Sequence, residues 1–346
     1  MRTAVYPSKP APGGRVAVVS PSAGLPAVFP AVYELGLRRL REVFGLEPVE
    51  YPTTRVLGAD PRDRARDLTA AFADPSVTAV LATAGGNDEI TVIPYLDDEV
   101  ILANPKPFFG YSDNTNLLNH LDGLGIIACH GGSVLVHLGR GGGLHPVTED
   151  SLRAALFHSG WYDLVASADY TDEPGDWRDP GFFAGPPVMF PASGWTWHGP
   201  RTRVAGRVWG GNLEIVHWLL ATGRVGPNAD YAGRIFLMET SQELPSDVEV
   251  YRILRNLGER GLLAGFPAVL VGRAKAWSHD RRNDHEQKRA YVDAQRVAVL
   301  RAFAEYNPDA VLVFDLDVGH TDPQLIVPYG GEVRVDAVER RISVRY

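Results

Sequence analysis

Short apolar runs that end in glycine or polar turns and then give way to helical periodicity recur along this chain. That alternation restricts its fold more than any other feature. Val16-Ala17-Val18-Val19 closes in Pro21-Ser22-Ala23-Gly24, and a helical pattern through Val32, Leu35, Leu37, Leu40, Val43 and Phe44 stops at Gly45. Val49-Glu50-Tyr51 is a weaker strand, followed by a helix from about Pro61 to Ala73 with an Asp60 cap and proline in its first turn. The β-branched run from Val77 to Thr83 breaks into Ala84-Gly85-Gly86-Asn87-Asp88. Strands alternating with helices predict an α/β fold with a mostly parallel sheet and flanking helices, whose ligands bind beyond the carboxyl ends of the strands.

The pattern lapses between about Trp161 and Val204, where Asp, Gly, Pro and Trp crowd together without periodicity, and resumes at Ala205. An irregular connection of that length is often functional. The division expected is an N-terminal domain over 1–165, a linker over 166–204 and a C-terminal domain over 205–346. In the last part, Gly210-Gly211 turns into a helix from Leu213 to Leu220, and the strand Ile235-Phe236-Leu237-Met238 ends in Glu239. A helix around Val248 to Leu257, strands at 268–272 and 310–314, and a terminal β-hairpin over 332–346 complete the reading. The charged segment from Trp277 to Lys288 reads as solvated, and its histidines are not read as metal ligands.

A net charge of -8 argues against a nucleic-acid footprint or an anionic membrane surface. The single cysteine, Cys129, excludes an internal disulfide and a thiolate zinc cluster, and its apolar run makes it a packed thiol. No secretory signal and no stretch of membrane-spanning length is visible, so a cytoplasmic protein is expected.

The chemistry centres on Phe108-Phe109-Gly110-Tyr111-Ser112-Asp113, a strand running through glycine into a serine where a helical pattern begins. A serine at that turn either caps the helix or serves as a nucleophile, because free N–H groups at a helix start favour developing negative charge. Gly85 and Gly86 lie on the same sheet edge and are either an ordinary tight turn or backbone able to approach a ligand closely. Glu239 and His320 also stand just past apolar strands. A hydroxyl needs a base to take its proton, an imidazole suits that task, and a carboxylate fixes the imidazole's tautomer. Glu214, after its own glycine turn, competes for the acid's place. Trp195 and Trp197 either stack on a planar ligand or pin the loop down.

Gly110-Tyr111-Ser112-Asp113, the Gly-Gly-Asn-Leu turn from Gly210 to Leu213, Ile235 to Glu239, and Gly319-His320-Thr321-Asp322-Pro323 resemble, in order, motifs of the LD-carboxypeptidase family of serine peptidases. The resemblance runs from near Val16 to about Gly330 and implies a Ser112–Glu239–His320 triad, with the N–H groups of Gly86 and Asp113 as oxyanion donors. It further implies an N-terminal α/β domain, a smaller β-rich C-terminal domain, a site between them and a homodimer. No metal or dissociable cofactor is implied. Glu239 is preferred as the acid because the family's acid closes an Ile-Phe-Leu type strand, which leaves Glu214 a substrate-side or structural part. The long Trp-bearing insertion resembles the microcin C immunity branch, which cleaves the amide joining a C-terminal aspartate to a modified AMP. The alternatives are a murein tetrapeptide LD-carboxypeptidase and a catalytically silent protein binding the same aminoacyl-nucleotide or small-peptide ligands. A conventional α/β-hydrolase esterase is disfavoured, since no G-x-S-x-G follows a suitable strand.

Overall fold

The computed structural model describes residues 4–346. Its first sheet runs, in spatial order, Glu47–Glu50, Arg15–Val19, Val77–Ala82, Phe108–Gly110 and Ala128–His130, all parallel. The strand Val327–Tyr329 closes its far edge antiparallel. The order reverses beside Arg15–Val19, so the turns after this strand, after Val77–Ala82 and after Phe108–Gly110 gather at one switch point. The helices Pro30–Glu42 and Pro61–Ala73 begin with proline at the first turn, where its missing N–H costs nothing. The Asp60 side chain accepts from the Arg62 N–H to cap the second of them.

The second sheet has eight strands. Arg203–Asn212, Ile235–Glu239, Ala268–Gly272 and Val311–Leu316 are parallel at its centre. The terminal hairpin, Glu332–Asp336 with Arg341–Arg345, extends one side and Thr196–His198 the other. The chain passes between the sheets more than once, since Trp161–Asp163 adds to the second and Val327–Tyr329 to the first. The fold is the expected mixture of a mostly parallel N-terminal sheet with helices and a C-terminal sheet domain, the second sheet being the wider.

The charged residues from His279 to Asp284 are largely exposed, as read, but the helix that comes next is absent from the sequence reading. The charged segment read as solvated leads straight into a 22-residue helix, His285–Tyr306, started by a reciprocal Asp284–Gln287 capping box. Its buried face is narrow and built largely of small or polar residues (Tyr291, Gln295, Ala298, Val299, Ala302, Phe303), so hydrophobic periodicity barely marks it.

The helix that follows the turn Ser112–Asn114, Thr115–Gly123, joins the two sheets. Its Leu117, Leu118 and Leu121 share one apolar core with Trp209, Leu213, Ile215 and Phe236 of the C-terminal half. Asp122 accepts from Arg207 at 2.8 Å and Arg234 at 2.6 Å, and the Trp209 indole donates to Asn119 Oδ1 at 3.0 Å. Gly211, the second residue of the Gly-Gly turn, leaves room for the helix. Gly211 has φ 102°, and a Cβ on it would lie 2.8 Å from Thr115 Oγ1. No helix of the described residues is long and apolar enough to cross a membrane.

Candidate active site

Ser112 stands where the strand Phe108–Gly110 ends and a short 3-10 turn, Ser112–Asn114, begins. Its φ is +62°, a conformation costly for a residue with a Cβ and one that recurs where a strained turn presents a nucleophile. His320 follows Gly319 in the loop after Val311–Leu316, and Glu239 is the last residue of Ile235–Glu239. The structure brings these three together: His320 Nε2 is 3.0 Å from Ser112 Oγ, and His320 Nδ1 is 2.6 Å from Glu239 Oε2. With Nδ1–H donated to the carboxylate, Nε2 is left to accept from the serine hydroxyl. Gly319 makes room for the pair, because a Cβ there would sit 2.6 Å from Glu239 Oε2.

Glu239 is 1 % exposed. Burial opposes its charge, but His320 beside it, through charge and hydrogen bond, holds the carboxyl below its ordinary range. Two further histidines pack under the site. His130 Nε2 lies 4.0 Å from Glu239 Oε1, and the Tyr111 ring is in contact with His130, His137 and His320. Burial first, then the neighbouring imidazole of His320, lowers His137 to about 3. Burial likewise lowers His130 to about 4, against the pull of Glu239. Both rings are therefore neutral at physiological pH, and His320 is the imidazole in hydrogen-bond contact with Ser112.

Gly85 packs directly on Ser112: a Cβ there would be 2.9 Å from Ser112 Cβ and 3.3 Å from the Asp113 N. Glu214 does not reach His320. Its Oε1 accepts from the Ser241 N–H at 2.9 Å, and burial followed by the nearby Glu239 charge raises its pKa.

A cleft of about 690 Å³ opens over Ser112, His320, Gly85 and Gly86. Trp195 and Trp197 are not among its lining residues. The Trp195 indole donates to Asp317 Oδ2 at 3.1 Å, and Trp197 sits in the edge strand Thr196–His198, paired with Val313. Trp195 thereby pins the insertion to the loop that carries His320. Besides Tyr111, which packs on His320, the cleft is lined by the aromatic residues Phe29, Trp177 and Trp277. Trp177 meets Phe29 edge-on, with centroids 5.0 Å apart, and Trp277 comes from the segment read as solvated. Lys275 also lines the cleft, with Nζ donating to the Asp172 carbonyl at 2.7 Å and the His320 carbonyl at 3.3 Å. Burial lowers it to about 8. Trp177, Trp277 and Lys275 lie in aperiodic sequence, and only the proximity of Trp177 to the other tryptophans of the insertion hinted at it.

This architecture is that of a two-domain peptidase family, and both domains are recognisable in the sequence. The LD-carboxypeptidase N-terminal domain matches residues 16–131 and its C-terminal domain residues 205–335. The chain belongs to the LD-carboxypeptidase family. Among its relatives, a putative carboxypeptidase of Streptomyces coelicolor is 30% identical over 353 aligned positions, covering 97% of this chain and 95% of that protein. The microcin C7 self-immunity protein MccF of Escherichia coli is 25% identical over 288 residues, 82% of this chain and 78% of that one. The murein tetrapeptide carboxypeptidase of Pseudomonas aeruginosa is 29% identical over 328 residues, 92% of this chain and 91% of that one. A solved MccF-like protein from Bacillus anthracis superposes with a TM-score of 0.84 at 22% identity over 99% of both chains. MccF in complex with aspartyl sulfamoyl adenosine superposes with a TM-score of 0.80 at 22% identity, over 99% of this chain and 98% of that one. These superpositions establish the shared fold.

Proposed function

We propose that this protein is a serine amidase of the LD-carboxypeptidase family that works through Ser112, His320 and Glu239. Its substrate in this reading joins a C-terminal, aspartate-like amino acid to a nucleotide, as in microcin C-type aminoacyl-adenylate mimics, and its role is detoxification in the cytoplasm. The observation that carries the reading is the unbroken hydrogen-bonded line from Ser112 Oγ through His320 to Glu239 at the floor of the cleft. Ser112 Oγ attacks the amide carbonyl while His320 Nε2 takes its proton, and Glu239 stabilises the imidazolium that forms. The N–H groups of Gly86 and Asp113 receive the carbonyl oxygen as it gains charge. His320 then returns the proton to the departing nitrogen, leaving an acyl-serine. A water, deprotonated by the same imidazole, releases the acid and restores Ser112.

The aromatic residues of the cleft favour a nucleotide over a plain peptide. Trp177, set against Phe29, offers a face on which a base can stack, and we assign it the part expected of Trp195 or Trp197. A homodimer is part of this proposal, by resemblance to the family. The test is a head-to-head assay of the purified protein on an aspartyl-sulfamoyl-adenosine-type amide and on a murein tetrapeptide, with Ser112→Ala beside the wild type. Selective cleavage of the nucleotide amide, lost in Ser112→Ala, is expected. Selective cleavage of the tetrapeptide would assign the murein activity instead, and unchanged turnover in Ser112→Ala would refute the serine mechanism.

A further inference from the structure

The Asp113 side chain is fully buried beside the nucleophile, and its donors come from three separate segments. Its Oδ2 accepts from Ser22 Oγ at 2.5 Å, from the Asp88 N–H at 2.9 Å and from the Glu89 N–H at 2.9 Å. Its Oδ1 accepts from Asn116 Nδ2 at 3.0 Å. The turn after the strand Arg15–Val19 and the turn after Val77–Ala82 are thus both tied to the turn that carries Ser112. A second tie comes from the next residue: Asn114 Nδ2 donates to the Ala84 carbonyl at 3.1 Å. Gly85, Gly86 and Asn87 are therefore strung between two anchors, Ala84 at one end and Asp88-Glu89 at the other, and both anchors attach to the nucleophile turn. Arg64 holds the outer side, donating to both oxygens of Asp88 and to the Pro21 and Ser22 carbonyls.

A carboxylate so near a site of developing negative charge is unfavourable on electrostatic grounds unless it does something else there. Here four donors absorb its charge. The neighbouring Glu89 carboxyl is buried with neither oxygen hydrogen-bonded, and burial, then the Asp113 charge, pushes its pKa well upward. Burial raises the Asp113 pKa too, against the pull of its donors, so what separates the two buried carboxyls is that Asp113 is hydrogen-bonded and Glu89 is not. We infer that the Asp113 carboxylate is the positioning residue of the oxyanion hole: it sets the spacing between the Gly86 N–H and its own backbone N–H by clamping the Ser22 and Asp88-Glu89 segments to the nucleophile turn. The inference rests on the serine-hydrolase reading above.

Oxyanion geometry acts on the transition state more than on the bound substrate, so misplacing one donor lowers kcat by about 10²–10³ with little change in KM. The experiment measures kcat and KM for wild type, Asp113→Ala, Asp113→Asn, Ser22→Ala and Ser112→Ala on whichever of the two amide substrates the wild type cleaves. Thermal unfolding of each variant is followed alongside. Asp113→Ala is expected to lose about 10²-fold or more in kcat at nearly constant KM. Asp113→Asn keeps an acceptor for the Ser22, Asp88 and Glu89 donors and gives up only the side-chain bond from Asn116, which still donates to the backbone carbonyl of residue 113; it is expected to retain more activity than Asp113→Ala. Ser22→Ala removes one tie without an ionisable change and guards against a folding defect in Asp113→Ala; a kcat loss at constant KM is expected there too. Wild-type kcat in Asp113→Ala or in a folded Ser22→Ala, or losses confined to KM, with Ser112→Ala inert, would overturn the inference alone. Wild-type turnover in Ser112→Ala would instead overturn the catalytic reading, and this inference with it.

Discussion

Nδ1 of His320 lies 2.6 Å from Oε2 of Glu239, although 81 residues separate them in the chain. Glu239 closes one parallel strand of the second sheet, His320 follows the end of another, and Ser112 reaches them from the first sheet. The packing of Thr115–Gly123 against Trp209 and Leu213 holds the two sheets at the separation that makes the 3.0 Å contact between His320 and Ser112 possible.

Glu239→Gln keeps the size of the side chain and removes the charge that selects the Nδ1–H tautomer. A kcat loss of about 10³–10⁴ is expected, with KM and unfolding temperature near those of the wild type. Activity within a few-fold of wild type would show that His320 is oriented by other groups.

Trp177→Ala and Trp195→Ala separate the two roles open to the tryptophans. Trp177 lines the cleft, so its loss is expected to weaken kcat/KM for a nucleotide-bearing substrate by about 10–100-fold, the usual worth of one base stacked on an aromatic ring. Trp195 donates to Asp317 outside the cleft, so its loss is expected to lower the unfolding temperature first. The opposite pattern would return the stacking role to Trp195.

His130 is expected to make the fold acid-labile. In the unfolded chain it takes a proton near pH 6.5, whereas burial holds it down to about 4 in the folded one. A base whose folded pKa is lowered leaves stability untouched above pH 6.5 and subtracts from it as the pH falls toward 4, by about 3 kcal/mol at the lower end. His130→Gln should therefore unfold less steeply with acid than the wild type between pH 6.5 and 4. Parallel curves of unfolding temperature against pH would show that His130 does not titrate between the two states.

Asp122 joins the two halves of the molecule through Arg207 and Arg234, with its side chain 5% exposed. Asp122→Ala removes the shared anion from both, and a loss of about 3–5 kcal/mol in unfolding free energy is expected. Denaturant unfolding measures it. A change below about 0.5 kcal/mol would place the cohesion of the halves in the apolar core alone.

Most of the central parallel strands and the turns that follow them were legible because a buried parallel strand must be a short apolar run, and because its ending in glycine, serine or glutamate breaks that run visibly; the edge strands Trp161–Asp163 and Thr196–His198, read as irregular chain, were not. The helix His285–Tyr306 was not, since alanines and a buried glutamine carry its inner face. The cleft's own tryptophans, Trp177 and Trp277, were hidden for a related reason: their segments have no period, and nothing local to a tryptophan distinguishes one that pins a loop from one that faces a ligand.

By itself, then, the sequence determined which kinds of side chain stand at the carboxyl ends of the strands, because periodicity and turn chemistry are local properties of the backbone. Only the tertiary structure decided which of them meet: that Glu239 rather than Glu214 touches His320, that Trp177 rather than Trp195 enters the cleft, and that the Asp113 carboxylate clamps two other loops. Those choices depend on how two sheets and two aperiodic insertions pack, and packing is settled by the sum of burial and hydrogen bonding over the whole chain.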